Sequence, residues 1–135
     1  MLLRGKRIFY FEDDAKNRAI VQLILEREGV TLGFERWVNK DSLGRLQSFG
    51  QVDVILLDLM FPNKVTGYDV YATLRATPEY ANVPVIAISA SDPSVELPKV
   101  KSLGFSGFIG KPIDLRTFAL QINTVLEGQH VWAEH

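Results

Sequence analysis

A few side chains in this 135-residue chain could do chemistry together, and each follows an apolar run. Arg7-Ile8-Phe9-Tyr10-Phe11 runs into three successive acids, Glu12, Asp13 and Asp14. Val54-Ile55-Leu56-Leu57 ends on Asp58, Val85-Ile86-Ala87-Ile88 on Ser89, and Gly107-Phe108-Ile109-Gly110 on Lys111-Pro112. One acid after a strand is explained by helix capping, and Asp14 serves that purpose most simply. Three acids exceed what a cap needs, and their repulsion costs stability unless a cation or a lysine lies among them. Carboxylates with one lysine and one hydroxyl form a coherent set. The acids offer oxygen ligands for a hard divalent cation, the lysine a point charge for a phosphate oxygen, and the hydroxyl a donor. The two histidines, His130 and His135, lie apart from this set, so no conventional histidine base joins it.

The elements that must position these groups follow from patterning. The apolar runs are short and β-branched, as in strands buried on both faces of a parallel sheet. The first strand leads into a helix over 15–28, with Ala19, Ile20, Leu23 and Ile24 as its apolar face, widened by Val21 and Leu25. A weaker strand over 31–38 belongs near an edge. Asn39 or Asp41 caps a short helix with Leu43, Leu46 and Phe49 inside, closed by Gly50. After Asp58 comes a Pro-, Asn- and Gly-containing loop, and a helix starts near Thr66 or Gly67 with Val70, Tyr71 and Leu74 inward. Pro98 fits a first turn, which predicts a short helix over 97–103. Asp114 caps the last helix, whose apolar positions are Leu115, Phe118, Ala119, Ile122, Val125 and Leu126.

Five such β-α units predict an α/β fold: a doubly wound, five-stranded parallel sheet with five helices, in the flavodoxin-like order 2-1-3-4-5. That order brings the C-terminal strand ends, and with them the acids, Ser89 and Lys111, to one crevice. One domain over 1–127 is expected, with a short tail over 128–135.

Composition narrows the classes. A formal net charge of -1 argues against direct nucleic-acid binding by bulk attraction. Without cysteine there is neither a disulfide framework nor a thiolate metal site. No signal peptide or membrane-length apolar stretch stands out, so a cytoplasmic protein without membrane contact is expected.

At these positions the sequence resembles the response-regulator receiver domain, the phosphoacceptor half of two-component signalling. The marks are the acidic pair after the first strand, Asp58-Leu59-Met60-Phe61-Pro62, Ser89-Ala90 and Lys111-Pro112. The resemblance implies that Asp58 is the phosphorylated aspartate. It implies that Mg²⁺ (or Mn²⁺) is held by Asp13, Glu12, Asp58 and the Met60 backbone carbonyl. Ser89 would meet the phosphoryl group and Lys111 would pair with it across a cis bond to Pro112. Phe108 stands at the switch-aromatic position and is expected to rotate inward when Ser89 is drawn in. Asn17 and Ile20, with Val21, would lie where a histidine kinase or histidine phosphotransfer protein docks, although Ile20 also suits a core. The output is expected to be read by a further protein, with the chain a monomer or weak homodimer and not an enzyme in the multiple-turnover sense.

The alternative is a pseudo-receiver, the same fold used as an interaction module not controlled by phosphorylation; the intact acid, hydroxyl and lysine set argues against it. A haloacid-dehalogenase-type phosphatase needs a second acid two residues after the nucleophile, where Met60 stands. A flavodoxin needs a hydroxyl-rich phosphate loop after the first strand. Three departures from the receiver pattern stand out: a longer loop over 63–66, Phe108 without a hydroxyl, and Pro93 and Pro98 after the fourth strand. Met60 and Ser91 offer no carboxamide or carboxylate to orient a hydrolytic water, which predicts a long-lived phosphoryl group. Trp37 and Trp132 are expected at the surface or half-buried.

Overall fold

The computed structural model describes residues 1–61 and 65–133. The expected alternation of strands and helices is present: β1 Arg7–Phe11, α1 Ala15–Arg27, β2 Thr31–Glu35, α2 Leu43–Phe49, β3 Val54–Asp58 and α3 Gly67–Ala76. The second half continues with β4 Val85–Ser89, α4 Pro93–Leu103, β5 Gly107–Gly110, α5 Phe118–Leu126 and β6 Val131–Ala133. The strands form one sheet in the order β2-β1-β3-β4-β5-β6, and every pairing is parallel.

Because β3 and β4 are buried along their whole length, their side chains feed two cores in alternation. One face gathers Phe9, Phe11, Leu57, Ala87 and Phe108 with α3 residues Val70, Tyr71 and Leu74. The other gathers Ile8, Tyr10, Leu56, Ile88 and Ile109 with α1 and α5 residues Val21, Leu25, Phe118 and Ile122. A sheet sandwiched between two apolar layers leaves the strand ends as the place where polar groups can meet.

Several expectations change. The segment after α5 is not a loose tail: residues 131–133 form a sixth strand on the outer edge of β5. α4 begins four residues earlier than expected and runs through Pro98. Asp92 caps it by accepting from the Ser94 N–H at 2.9 Å, Pro93 suits its first turn, and Glu96 and Val100 are buried, so the helix forms despite the internal proline. α5 begins at Phe118; Asp114 instead organises a preceding turn, and Leu115 is exposed. On α1 the buried stripe is Val21, Ile24 and Leu25, while Ile20 and Leu23 face outward, a rotation of the apolar face from the one expected. Trp37 is buried against Phe11, ring edge to face with centroids 5.3 Å apart, because β1 carries an aromatic pair that needs a lid. Residues 62–64, on which the long-loop expectation rests, and His135 lie outside the described residues.

Candidate functional site

β1 delivers its acids because Phe9 and Phe11 anchor one core and Tyr10 the other, leaving Glu12 and Asp13 at the strand's C-terminal end. Asp14 is the helix cap, accepting from Lys16 N–H at 2.7 Å and Asn17 N–H at 3.4 Å. The capping role is thereby filled by one acid, and the other two are free for other work. Glu12 is fully buried. Its Oε1 accepts from the Asn17 amide at 2.7 Å and from Lys111 Nζ at 3.2 Å.

β3 sits beside β1 and β4, which fixes Asp58 at the centre of the sheet. Asp58 is 7% exposed, its Oδ1 accepts from the Met60 N–H at 3.1 Å, and its Oδ2 accepts from Lys111 Nζ at 3.1 Å. Lys111 follows β5, its backbone N–H tied to the Ser89 carbonyl at 2.8 Å; the bond to Pro112 is cis. Ser89, 1% exposed at the end of β4, accepts from the Ser91 N–H at 3.0 Å through its Oγ. Glu12, Asp58, Ser89 and Lys111 thus meet at the strand ends. Met60 has its side chain in solvent, so only its backbone is available to the site.

Electrostatics follow from this crowding. Burial, then the neighbouring Asp58, push the Glu12 carboxyl up to about 8, against the opposing pull of Asn17 and Lys111. The Tyr10 hydroxyl is pushed up by burial and by Glu12 and Asp58. Among the described residues the Lys111 ammonium is the cation that contacts both buried acids, Glu12 and Asp58.

The residues fit a hard divalent cation. Glu12 Oε2 and Asp13 Oδ1 are buried and have no hydrogen-bond partner among the described residues, which is costly unless something else satisfies them. Among the described residues no three His, Cys, Asp or Glu side chains converge as a closed metal cage. Carboxylate oxygens of this kind suit Mg²⁺, which keeps several waters and takes few protein ligands.

Two residues gain roles here that patterning did not assign. Gly67, first in α3, donates its N–H to the Leu59 carbonyl at 2.9 Å; an added Cβ would meet the Asp58 carbonyl oxygen and lie 2.7 Å from Leu59 Cα. Glycine there lets α3 start directly against the chain that carries Asp58, and the Thr66–Asp69 capping box fixes that start. Tyr10 has a buried hydroxyl with no hydrogen-bond partner among the described residues. In the sequence it is one residue of the first strand, and alternation cannot show where a hydroxyl points. Of the residues expected at a docking surface, Ile20 is 40% exposed and Asn17 is half-buried and engaged with Glu12. Phe108 differs from expectation: it is already fully buried, between Ala87 on β4 and Trp132 on β6.

Comparison with known proteins agrees with this geometry. The response regulator receiver domain family matches residues 8–123. The transcriptional regulatory protein CseB of Streptomyces coelicolor is 32% identical over 121 residues, covering 88% of this chain and 48% of CseB. The sensory transduction protein RegX3 of Mycobacterium tuberculosis is 31% identical over 121 residues, 88% of this chain and 50% of RegX3. The chain thus spans about half the length of the curated relatives it matches. The signal receiver domain of a DNA-binding response regulator from Colwellia psychrerythraea superposes with a TM-score of 0.76 at 24% identity, over 91% of this chain and 99% of that one, a likeness of fold. With its sheet order, its strand-end acids and a family match over most of its length, this chain belongs to the response regulator receiver domain family.

Proposed function

We propose that the chain is a phosphoacceptor: Asp58 takes a phosphoryl group from a histidine kinase or histidine phosphotransfer protein, with Mg²⁺ or Mn²⁺ present, and signals by protein contact. The observation that carries this reading is Lys111 Nζ bonded to both Glu12 and Asp58, while Glu12 Oε2 and Asp13 Oδ1 have no hydrogen-bond partner among the described residues. Buried acids gathered around a lysine at the strand ends suit a site for cation and phosphate better than a purely structural role.

An Asp58 carboxylate oxygen attacks phosphorus in line. The new O–P bond forms as the bond from phosphorus to the donor imidazole nitrogen breaks, and its electron pair leaves with that nitrogen. Two anions must meet, and Lys111, already 3.1 Å from Asp58, offsets their repulsion and stabilises charge on the phosphoryl oxygens. A divalent cation, when bound through Asp13, Glu12, Asp58 and the Met60 carbonyl, supplies further positive charge to the same oxygens. Ser89 lies buried at the next strand end, where its hydroxyl can donate to the new dianion. Because Phe108 is already inward, the switch begins with the aromatic packed and works by repacking among Ala87, Phe108 and their neighbours. The partner surface includes Ile20, exposed one turn beyond Asn17. Met60 and Ser91 leave a hydrolytic water unoriented, so the phosphoryl group is long-lived and turnover slow. Among the described residues no helix is long and apolar enough to cross a membrane. The module works in the cytoplasm, where its kinase and output partners meet it, as a monomer or weak homodimer.

Intact mass spectrometry with acetyl phosphate tests this. The chain should gain one phosphoryl group with Mg²⁺ and none in chelator. No gain at saturating donor and cation would leave the interaction-module reading.

A further inference from the structure

β6 gives the sheet an edge that the five β-α units do not require, and the chain is built to place it there. α5 ends in a turn in which the Gly128 N–H bonds the Val125 carbonyl at 2.9 Å and the Gln129 N–H bonds the Thr124 carbonyl at 3.2 Å. Gly128 takes the positive φ of 91° that this reversal needs. The chain then runs back along β5, pairing Gly107 with Val131, Phe108 with Trp132 and Ile109 with Ala133. Gly107 admits this approach: a Cβ there would lie 3.0 Å from the Val131 carbonyl oxygen.

Among the described residues, β6 is held by its pairing with β5 and by side chains on both faces. Val131 packs on the core of α1 and α5, and Trp132 on the core that contains Phe108. Lys101 of α4 places its Nζ 5.2 Å from the Trp132 ring centroid, and the His130 ring stacks on Trp132 at 5.4 Å. The strand is three residues long and half-buried throughout, so it belongs to the least stable part of the sheet. Its main anchor, Trp132, is the register partner of Phe108, the residue that the proposed switch would move, and packs on the same core. Across the sheet the side chains run in one row: Leu57, Ala87, Phe108, Trp132. Leu57 adjoins Asp58, and Ser89 lies two residues beyond Ala87 on the same strand.

We propose that β6 is a latch over the outer edge of β5, seated on Phe108 through Trp132 and loosened when Asp58 is phosphorylated. The inference rests on the phosphoacceptor reading. As Ser89 is drawn toward the dianion, Phe108 repacks toward β4 and Trp132 loses its seat. The latch then frays and uncovers the Gly107–Gly110 edge between α4 and α5. In the resting chain that edge is closed by the protein itself.

Hydrogen exchange on the full chain in Mg²⁺, with and without acetyl phosphate, tests this, with intact mass read on the same samples. The Trp132→Ala chain calibrates the unlatched state. Amides of residues 129–133 should exchange about fivefold faster or more once the phosphoryl group is present, approaching the Trp132→Ala rate. Amides of β1 and β3 should be unchanged, and Asp58→Asn should show no response to the donor. Phosphoryl gain with unchanged or slower exchange at 129–133 overturns the latch while leaving the phosphoacceptor reading intact. No phosphoryl gain overturns that reading and the latch with it.

Discussion

Glu12 carries more of the site's electrostatic tension than any other side chain. Its carboxyl is pushed up to about 8 by burial and by Asp58, so the folded chain keeps a proton that the unfolded chain releases at ordinary carboxylate pH. That contribution to stability is fully present below the unfolded value and is lost as pH rises through the folded one. The metal-free protein should therefore become less stable between about pH 5 and about pH 8.5, and Glu12→Gln should flatten that slope. Urea unfolding in chelator measures both; an unchanged slope in Glu12→Gln would show that another group is responsible. The same proton competes with a cation, so Mg²⁺ affinity should rise over this range. Lys111 has the complementary role. Lys111→Ala removes the shared counter-charge of two buried acids and should slow phosphoryl uptake about a hundredfold, read as initial rate by intact mass. Types and order alone brought Asp58, Ser89 and Lys111 forward as candidates, because polar residues close several apolar strands whose ends this topology brings together. The Asn17 bond to Glu12 and the Tyr10 hydroxyl were not legible, since they depend on side-chain direction.

The elements show how local rules compete. Thr66 and Asp69 form a reciprocal cap on α3, so Thr66→Ala should cost about 1 kcal/mol in thermal unfolding. Gly67→Ala should cost more, about 2–4 kcal/mol, because the atoms in its way are backbone and cannot swing aside. It should also slow phosphorylation by displacing the chain that carries Asp58. Pro98 reads as a helix start, and α4 nonetheless runs through it, because Asp92, Pro93 and two buried residues make a stronger start upstream. The proline still lacks an N–H for the Ser94 carbonyl, so Pro98→Ala should stabilise the chain by about 1–3 kcal/mol. A lower midpoint in that variant would mean that Pro98 packs in a way its helix position does not reveal. The rotated face of α1 has a similar origin. Ile20 and Leu23 satisfy the period as well as Val21 and Leu25 do, and only the sheet beneath decides which pair is covered. β6 was hidden for a different reason: three residues after a glycine turn carry too little alternation to announce a strand.

At the scale of the molecule, the parallel sheet explains why one crevice gathers groups separated by nearly the whole chain, as in the bond between Lys111 and Glu12. Buried on both faces, the strands hold the acids still, so the site is organised before any ligand arrives. Cation binding should then add to global stability by mass action, about 2.7 kcal/mol at a hundred times its dissociation constant. The gain should vanish in Asp13→Ala. All of this serves one claim, that Asp58 is the residue that accepts phosphate. It is tested most directly by following intact mass in acetyl phosphate and Mg²⁺ for the native chain and Asp58→Asn side by side, with the modified peptide mapped by fragmentation. The native chain should gain a single phosphoryl group on the peptide containing Asp58, and Asp58→Asn should gain none. Equal gain in both chains, or a phosphoryl group mapped to another residue, would contradict the claim.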